Sequence, residues 1–176
     1  MSATNRQEVL QNRLGPEIQE FKQQMKTILL STVDAQGNPN VSYAPFVINN
    51  GEYQVLISIV ARHARNLLEV PKVSLMLIED ERQSREIFAR RRLTFDATAR
   101  LVERNTDEWE NAIYALKNRH GKTISNLSQL ADFKLFSFKP EKGLFVKGFG
   151  QAFQVNTDDL VSFTHLDKGH TPHIQA

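Results

Sequence analysis

No cysteine occurs in the chain. That removes structural disulfides, thiolate metal sites and cysteine nucleophiles from consideration, and it gives no sign of an oxidising, secreted setting. Long apolar runs are missing too. None approaches the roughly 20 residues that span a bilayer, and Met1–Leu10 lacks the apolar stretch of a signal peptide. Neither sign of charge dominates: 22 Lys+Arg and 20 Asp+Glu leave +2, too little to argue for nucleic acid from total charge. There is no Gly-x-Ser-x-Gly elbow, no phosphate-binding P-loop, no dinucleotide fingerprint and no internal repeat. What is present is an ordinary globular composition, 40% apolar and 24% charged over 176 residues. Such a chain is expected to form one cytoplasmic domain that buries roughly 70% of its unfolded surface.

The pattern along the chain divides into an N-terminal helical segment (1–26), a β-rich domain (27–160) and a polar tail (161–176). Leu10, Leu14, Ile18, Phe21 and Met25 mark one helical face. Gly15-Pro16 interrupts it, which predicts two short helices. Thr27–Val33, Val41–Ile48 and Tyr53–Val60 read as strands, joined by the turn cluster at 34–39 and by Asn49-Asn50-Gly51, a strong hairpin signal. Links that short require antiparallel pairing. Arg62–Val70 has helical spacing and ends at Pro71. Val73–Ile78 and Leu93–Val102 are further strands, with a charged loop between them. Thr106 and Gly121 cap a helix whose buried stripe is Trp109, Ile113 and Leu116. A second helical stretch covers Ile124–Leu130. Phe133–Phe138, Gly143–Phe149 and Gln151–Val155 complete the strands, split by Pro140 and Gly150. Gly148-Phe149-Gly150 lacks a third glycine and precedes a strand, so it reads as a bend or bulge. The expected fold class is mainly β with peripheral helices: an antiparallel sheet of six to seven strands that closes, or nearly closes, into a small barrel.

Three groups of residues could carry chemistry. At Ser58–Leu67 a strand runs into a helix across Arg62, His63 and Arg65. Free N–H groups at a helix start beside guanidinium groups suit an anion such as a phosphate or a propionate; a solvated helix start reads equally well. Arg90-Arg91-Arg92 precedes a strand, where Arg90 and Arg92 would share a face. Arg90 and Arg91 are expected in an exposed loop, and the flanking Phe88 and Phe95 in the core. The histidines are His63, His120, His165, His170 and His173. They have no clustered acidic or thiolate companions for zinc, so a solvated polar tail is the plain reading of the last three.

The stretch Ser58-Ile59-Val60-Ala61-Arg62-His63-Ala64-Arg65-Asn66-Leu67 resembles the Ser-x-x-Ala-x-His-x-x-Asn-Leu segment of the FMN-binding split-barrel superfamily, typified by pyridoxamine-phosphate oxidase. Asn40–Phe46 fits the second strand of that fold. Leu144–Ala152 and Leu166-Asp167-Lys168-Gly169-His170 resemble the heme-utilisation branch, the HutZ- and HugZ-type proteins, over essentially the whole chain.

The resemblance implies a homodimeric split barrel that binds b-type heme and opens the porphyrin oxidatively. It places the axial ligand on His170, an orienting carboxylate from the partner subunit on Asp132, a residue supporting that contact on Thr27 and a distal arginine on Arg92. A carboxylate on the second ring nitrogen makes an imidazole ligand more electron-donating. His63 is the rival ligand. An electron donor or reductase and a cytoplasmic heme carrier are the implied partners, with no nucleic acid and no membrane insertion. Two other readings stay open. One is an FMN-dependent oxidoreductase in which Arg62, His63, Arg65 and Asn66 hold the flavin phosphate. The other is a heme storage or transfer protein that uses His170 without activating O2.

Overall fold

The computed structural model describes residues 3–157 and 161–162. His165, His170 and His173, and with them most of the expected tail, lie outside the described residues. Helix α1 (Ala3–Gln24) opens the chain. It is one helix, not two, although Pro16 lies inside it. The residue before a proline is normally barred from the helix by its Cβ; Gly15 has none. Leu10, Leu14, Ile18 and Phe21 also form one unbroken buried stripe, and burial of that stripe outweighs the lost hydrogen bond.

Strands β1 (Thr27–Val33) and β2 (Pro39–Pro45) pair antiparallel. β3 (Val47–Asn49) and β4 (Glu52–Ser58) form the expected hairpin. Its loop residues Asn50 and Gly51 take φ of 51° and 78°, the doubly left-handed turn that matches strand twist. Helix α2 (Arg62–Glu69) leads to β5 (Lys72–Ile78). Two 3-10 turns, Glu81–Gln83 and Ile87–Ala89, precede β6 (Arg92–Val102). Helices α3 (Asp107–His120) and α4 (Thr123–Leu127) follow, then β7 (Phe133–Gly148), β8 (Gln151–Asn156) and the short β9 (Val161–Ser162).

Among the described residues the nine strands form one sheet in the order β2-β1-β5-β6-β7-β4-β3, with β8 and β9 continuing from the far half of β7. The two ends of that order, β2 and β3, are separated in the chain only by Phe46, which is fully buried. The sheet therefore curls until its edges meet through a covalent link and not through a hydrogen-bond ladder: the barrel is split. Pro140 does not divide β7. It sits where the β6–β7 register shifts between Asp96 and Ala97, and at a bulge a missing N–H costs no ladder bond.

One core fills the barrel, and α1 plugs it through Leu14, Ile18 and Phe21. A second core lies on the outer face, where Trp109, Ala112 and Leu116 of α3 cover Val47, Leu56, Val102 and Leu135. β4 is thus covered on both faces, and its interior residues are buried without alternation. Two expectations about the charged loop fail. Phe88 is 82% exposed, because it belongs to a 3-10 turn outside the sheet. Arg90 and Arg91 are half-buried: Arg90 donates to the Glu79 carbonyl at 3.1 Å, and Arg91 pairs with the Glu79 carboxylate at 2.9 Å. Arg90 also precedes the strand, so it does not alternate with Arg92.

Candidate functional site

The turn from β4 into α2 gathers most of the polar groups singled out by sequence. Ser58 closes β4, and its carbonyl accepts the Ala61 N–H at 3.0 Å. Its hydroxyl oxygen accepts the Val60 N–H at 3.1 Å and donates to Asp132 Oδ2 at 2.6 Å. The Asp132 backbone is held as well: its carbonyl accepts the Ile59 N–H at 2.9 Å. Asp132 immediately precedes β7, whose first residue Phe133 pairs with Ser58. Strand pairing thus delivers the carboxylate to the start of α2.

His63 stands in the first turn of α2. Its Nδ1 is 2.8 Å from Ser42 Oγ on β2, while Nε2 is buried with no partner. Burial pushes its pKa below the usual histidine value, so the ring is neutral at neutral pH. His63 lines an apolar cleft of about 250 Å³. Pro45 of β2, Ile57 and Ser58 of β4, Leu127 of α4 and Phe133 of β7 line it. Tyr43, 65% exposed, also lines it, and Val60 and Leu130, near lining residues in the chain, are exposed at 72% and 46%.

The other expected site residues are spread more widely. Thr27 is exposed and pairs with Pro45, a cleft residue; within the chain no hydrogen bond joins it to Asp132. Arg92 is half-buried and sits opposite Val146, near the far end of β7 from Asp132. Arg62 is exposed and lies 3.5 Å from Asp34 of the β1–β2 turn. Arg65 donates to the Val60 carbonyl. Asn66 is buried, with its amide donating to Thr32 Oγ1 at 3.0 Å. His120 contacts the Phe46 carbonyl at 2.9 Å. Sequence reasoning missed the roles of Ser58 and Ser42. Ser58 does open the recognised stretch, but its carboxylate partner lies 74 positions away.

This split barrel, with its motif at the β4–α2 turn, can be set beside known proteins. The family profile of pyridoxamine 5'-phosphate oxidase matches residues 14–147. The chain belongs to that family. It is 61% identical to heme oxygenase HutZ of Vibrio cholerae over 165 residues, 94% of each chain, which sets it in the HutZ-type branch. A solved Vibrio cholerae HutZ, described as a heme storage protein, superimposes with a TM-score of 0.74 at 60% identity, covering 78% of this chain and 97% of the other. Campylobacter jejuni ChuZ gives 0.82 at 27% identity, covering 92% of this chain and 66% of the other. No helix among the described residues is long and apolar enough to cross a membrane.

The residues at hand fit a heme that lies between two surfaces better than one enclosed by a single chain. A cleft of about 250 Å³ is below the range of roughly 300–1,000 Å³ that encloses drug-sized ligands. Beside it, Asp132 keeps one carboxylate oxygen free of hydrogen bonds among the described residues, an acceptor suited to an imidazole N–H. For a flavin phosphate the fit is poorer. The start of α2 has no side-chain cap, which favours an anion, but Asn66 is turned inward and Arg65 is engaged by a backbone carbonyl.

Proposed function

We propose that the chain is a heme-binding, heme-degrading enzyme that acts as a homodimer in the cytoplasm, with heme at the seam between two copies. His170 is the axial ligand. Asp132 of the partner subunit accepts its second ring N–H, Thr27 supports that contact and Arg92 lies on the distal side. The observation that carries this reading is Asp132 itself, a carboxylate anchored at one oxygen and without a hydrogen bond at the other among the described residues, held by Ser58 and next in the chain to Phe133, both of which line an apolar cleft too small to hold a porphyrin alone.

Heme, when bound, supplies both the O2-reducing centre and the ring that is opened. The protein supplies position and charge. An imidazole fixed by a carboxylate is a stronger donor than a free one. A guanidinium at Arg92 would offer hydrogen-bond donors to O2 or to a propionate. Apolar Tyr43, Val60 and Leu130 exclude water at the seam. Electrons come from a donor protein or reductase, and heme arrives from a carrier.

A second reading, heme storage, uses the same ligand, and the description of the solved Vibrio cholerae HutZ favours it. One experiment separates the readings. Heme titrated into the purified protein is expected to give an intense Soret band that decays when ascorbate is added in air. A band that persists under reductant points to storage, and yellow flavin bands in place of a Soret band point to an FMN oxidoreductase. Replacing His170 by Ala is expected to alter the spectrum and abolish decay; an unchanged spectrum removes His170 as ligand.

A further inference from the structure

The geometry points to Ser58 as a positioning residue for the Asp132 carboxylate, an inference that rests on the reading of Asp132 given above. The Ser58 hydroxyl is used in one direction. Its oxygen accepts the Val60 N–H at 3.1 Å, so its single proton is aimed at Asp132 Oδ2, 2.6 Å away. That separation is in the short range of hydroxyl-to-carboxylate bonds. The terminal torsion of an aspartate is broad and nearly two-fold, so a carboxylate held only by its backbone presents either oxygen outward. Ser58 removes that freedom: Oδ2 is tied to the turn, and Oδ1 is left as the acceptor without a partner among the described residues. The backbone bond from Ile59 to the Asp132 carbonyl, 2.9 Å, fixes the other end of the residue. Both restraints come from one turn, so the start of α2 and the carboxylate move as a unit. Within the chain, Ser58 and not Thr27 is the hydroxyl on this carboxylate.

Outer partners of a metal ligand commonly change affinity or activity by 10–100-fold when removed. Ser58→Ala is therefore expected to slow heme loss about tenfold. A purely structural serine could also slow turnover, so the deciding readout is the iron–histidine stretching frequency of the ferrous heme complex, which reports the hydrogen bond on the ligand's second nitrogen. Ser58→Ala is expected to move that frequency in the same direction as Asp132→Asn and by less. Ser58→Thr keeps the hydroxyl and is expected to restore the native value. Adding Ser58→Ala to Asp132→Asn is expected to move it no further. Melting of the heme-free variants checks the fold, and if Ser58→Ala unfolds early, Ser58→Cys, nearly isosteric with a weak donor, takes its place. A native frequency in Ser58→Ala alongside a shifted one in Asp132→Asn overturns the inference and leaves Asp132 standing. A native frequency in both removes the Asp132 reading and this inference with it.

Discussion

Arg92 and Asp132 stand at opposite ends of β7: Arg92 pairs with Val146 near its finish, and Asp132 directly precedes its first residue, Phe133. Two residues expected to face one ligand are thus set apart by the longest strand in the chain. In the proposed two-fold dimer the Arg92 end of one copy would meet the Asp132 end of the other, and would do so twice. The cleft lined by Ser58 and Phe133, too small alone for a porphyrin, would gain its missing wall in the same dimer.

Arg91 and Glu79 form the tightest ion pair behind the charged loop. Glu79 is 6% exposed. Burial pushes its carboxyl pKa up, but the backbone and side-chain hydrogen bonds from Arg91 outweigh burial and hold it below the usual carboxylate value. Removing the guanidinium leaves the buried carboxylate short of its partner; because the Arg91 side chain is 36% exposed, the cost lies between the surface and the buried cases, about 1–2 kcal/mol. Arg91→Met is expected to lower the urea midpoint accordingly, and Glu79→Gln in the same chain to restore much of it. Additive losses would contradict the pairing.

The pH dependence of stability carries a signature of His63. Burial depresses its folded pKa from 6.5, so below that value the unfolded chain binds a proton that the folded chain resists. Stability is then full above about pH 6.5 and falls as the pH drops through it. Denaturation at pH 7.5 and pH 5.5 is expected to give a larger loss in the native protein than in His63→Gln. Equal losses would mean that His63 is not buried as described.

Gly143 reports the packing of the barrel interior. A Cβ there would lie 2.4 Å from Cε1 of Phe95, which is buried at 3% exposure. Gly143→Ala is expected to cost about 1–3 kcal/mol through overpacking, and Phe95→Leu in addition to recover part of it. Thermal melting of the single and double variants measures both.

Local signals were legible in the sequence wherever a few adjacent residues decide the outcome. Asn50-Gly51 dictated the hairpin, and Thr106 and Gly121 bounded α3, with the Thr106 hydroxyl accepting the Trp109 N–H. Local reasoning failed where distant burial decides. Pro16 and Pro140 should have broken α1 and β7; a continuous buried stripe and a bulge absorb them. Arg119, in the last turn of α3, crosses to the end of α1, where it donates to the carbonyls of Gln23, at 2.9 Å, and Met25, a contact no local pattern announces. The site divides in the same way. The motif brought His63 and Ser58 to the cleft, whereas their partners come from afar, Ser42 from 21 positions before His63 and Asp132 from 74 positions after Ser58, through pairings no short pattern records.

A mixing experiment tests the shared site most directly. Arg92→Ala and Asp132→Asn protomers, each inactive alone, are unfolded, combined in equal amounts and refolded together, and heme loss is followed under reductant. In a two-fold dimer half of the pairs are mixed, and one of the two sites in each mixed pair keeps both native residues. Turnover is then expected to return to about a quarter of the native rate. Mixtures that stay as inactive as their parents would place Arg92 and Asp132 in the same chain's site and contradict a heme held between two copies.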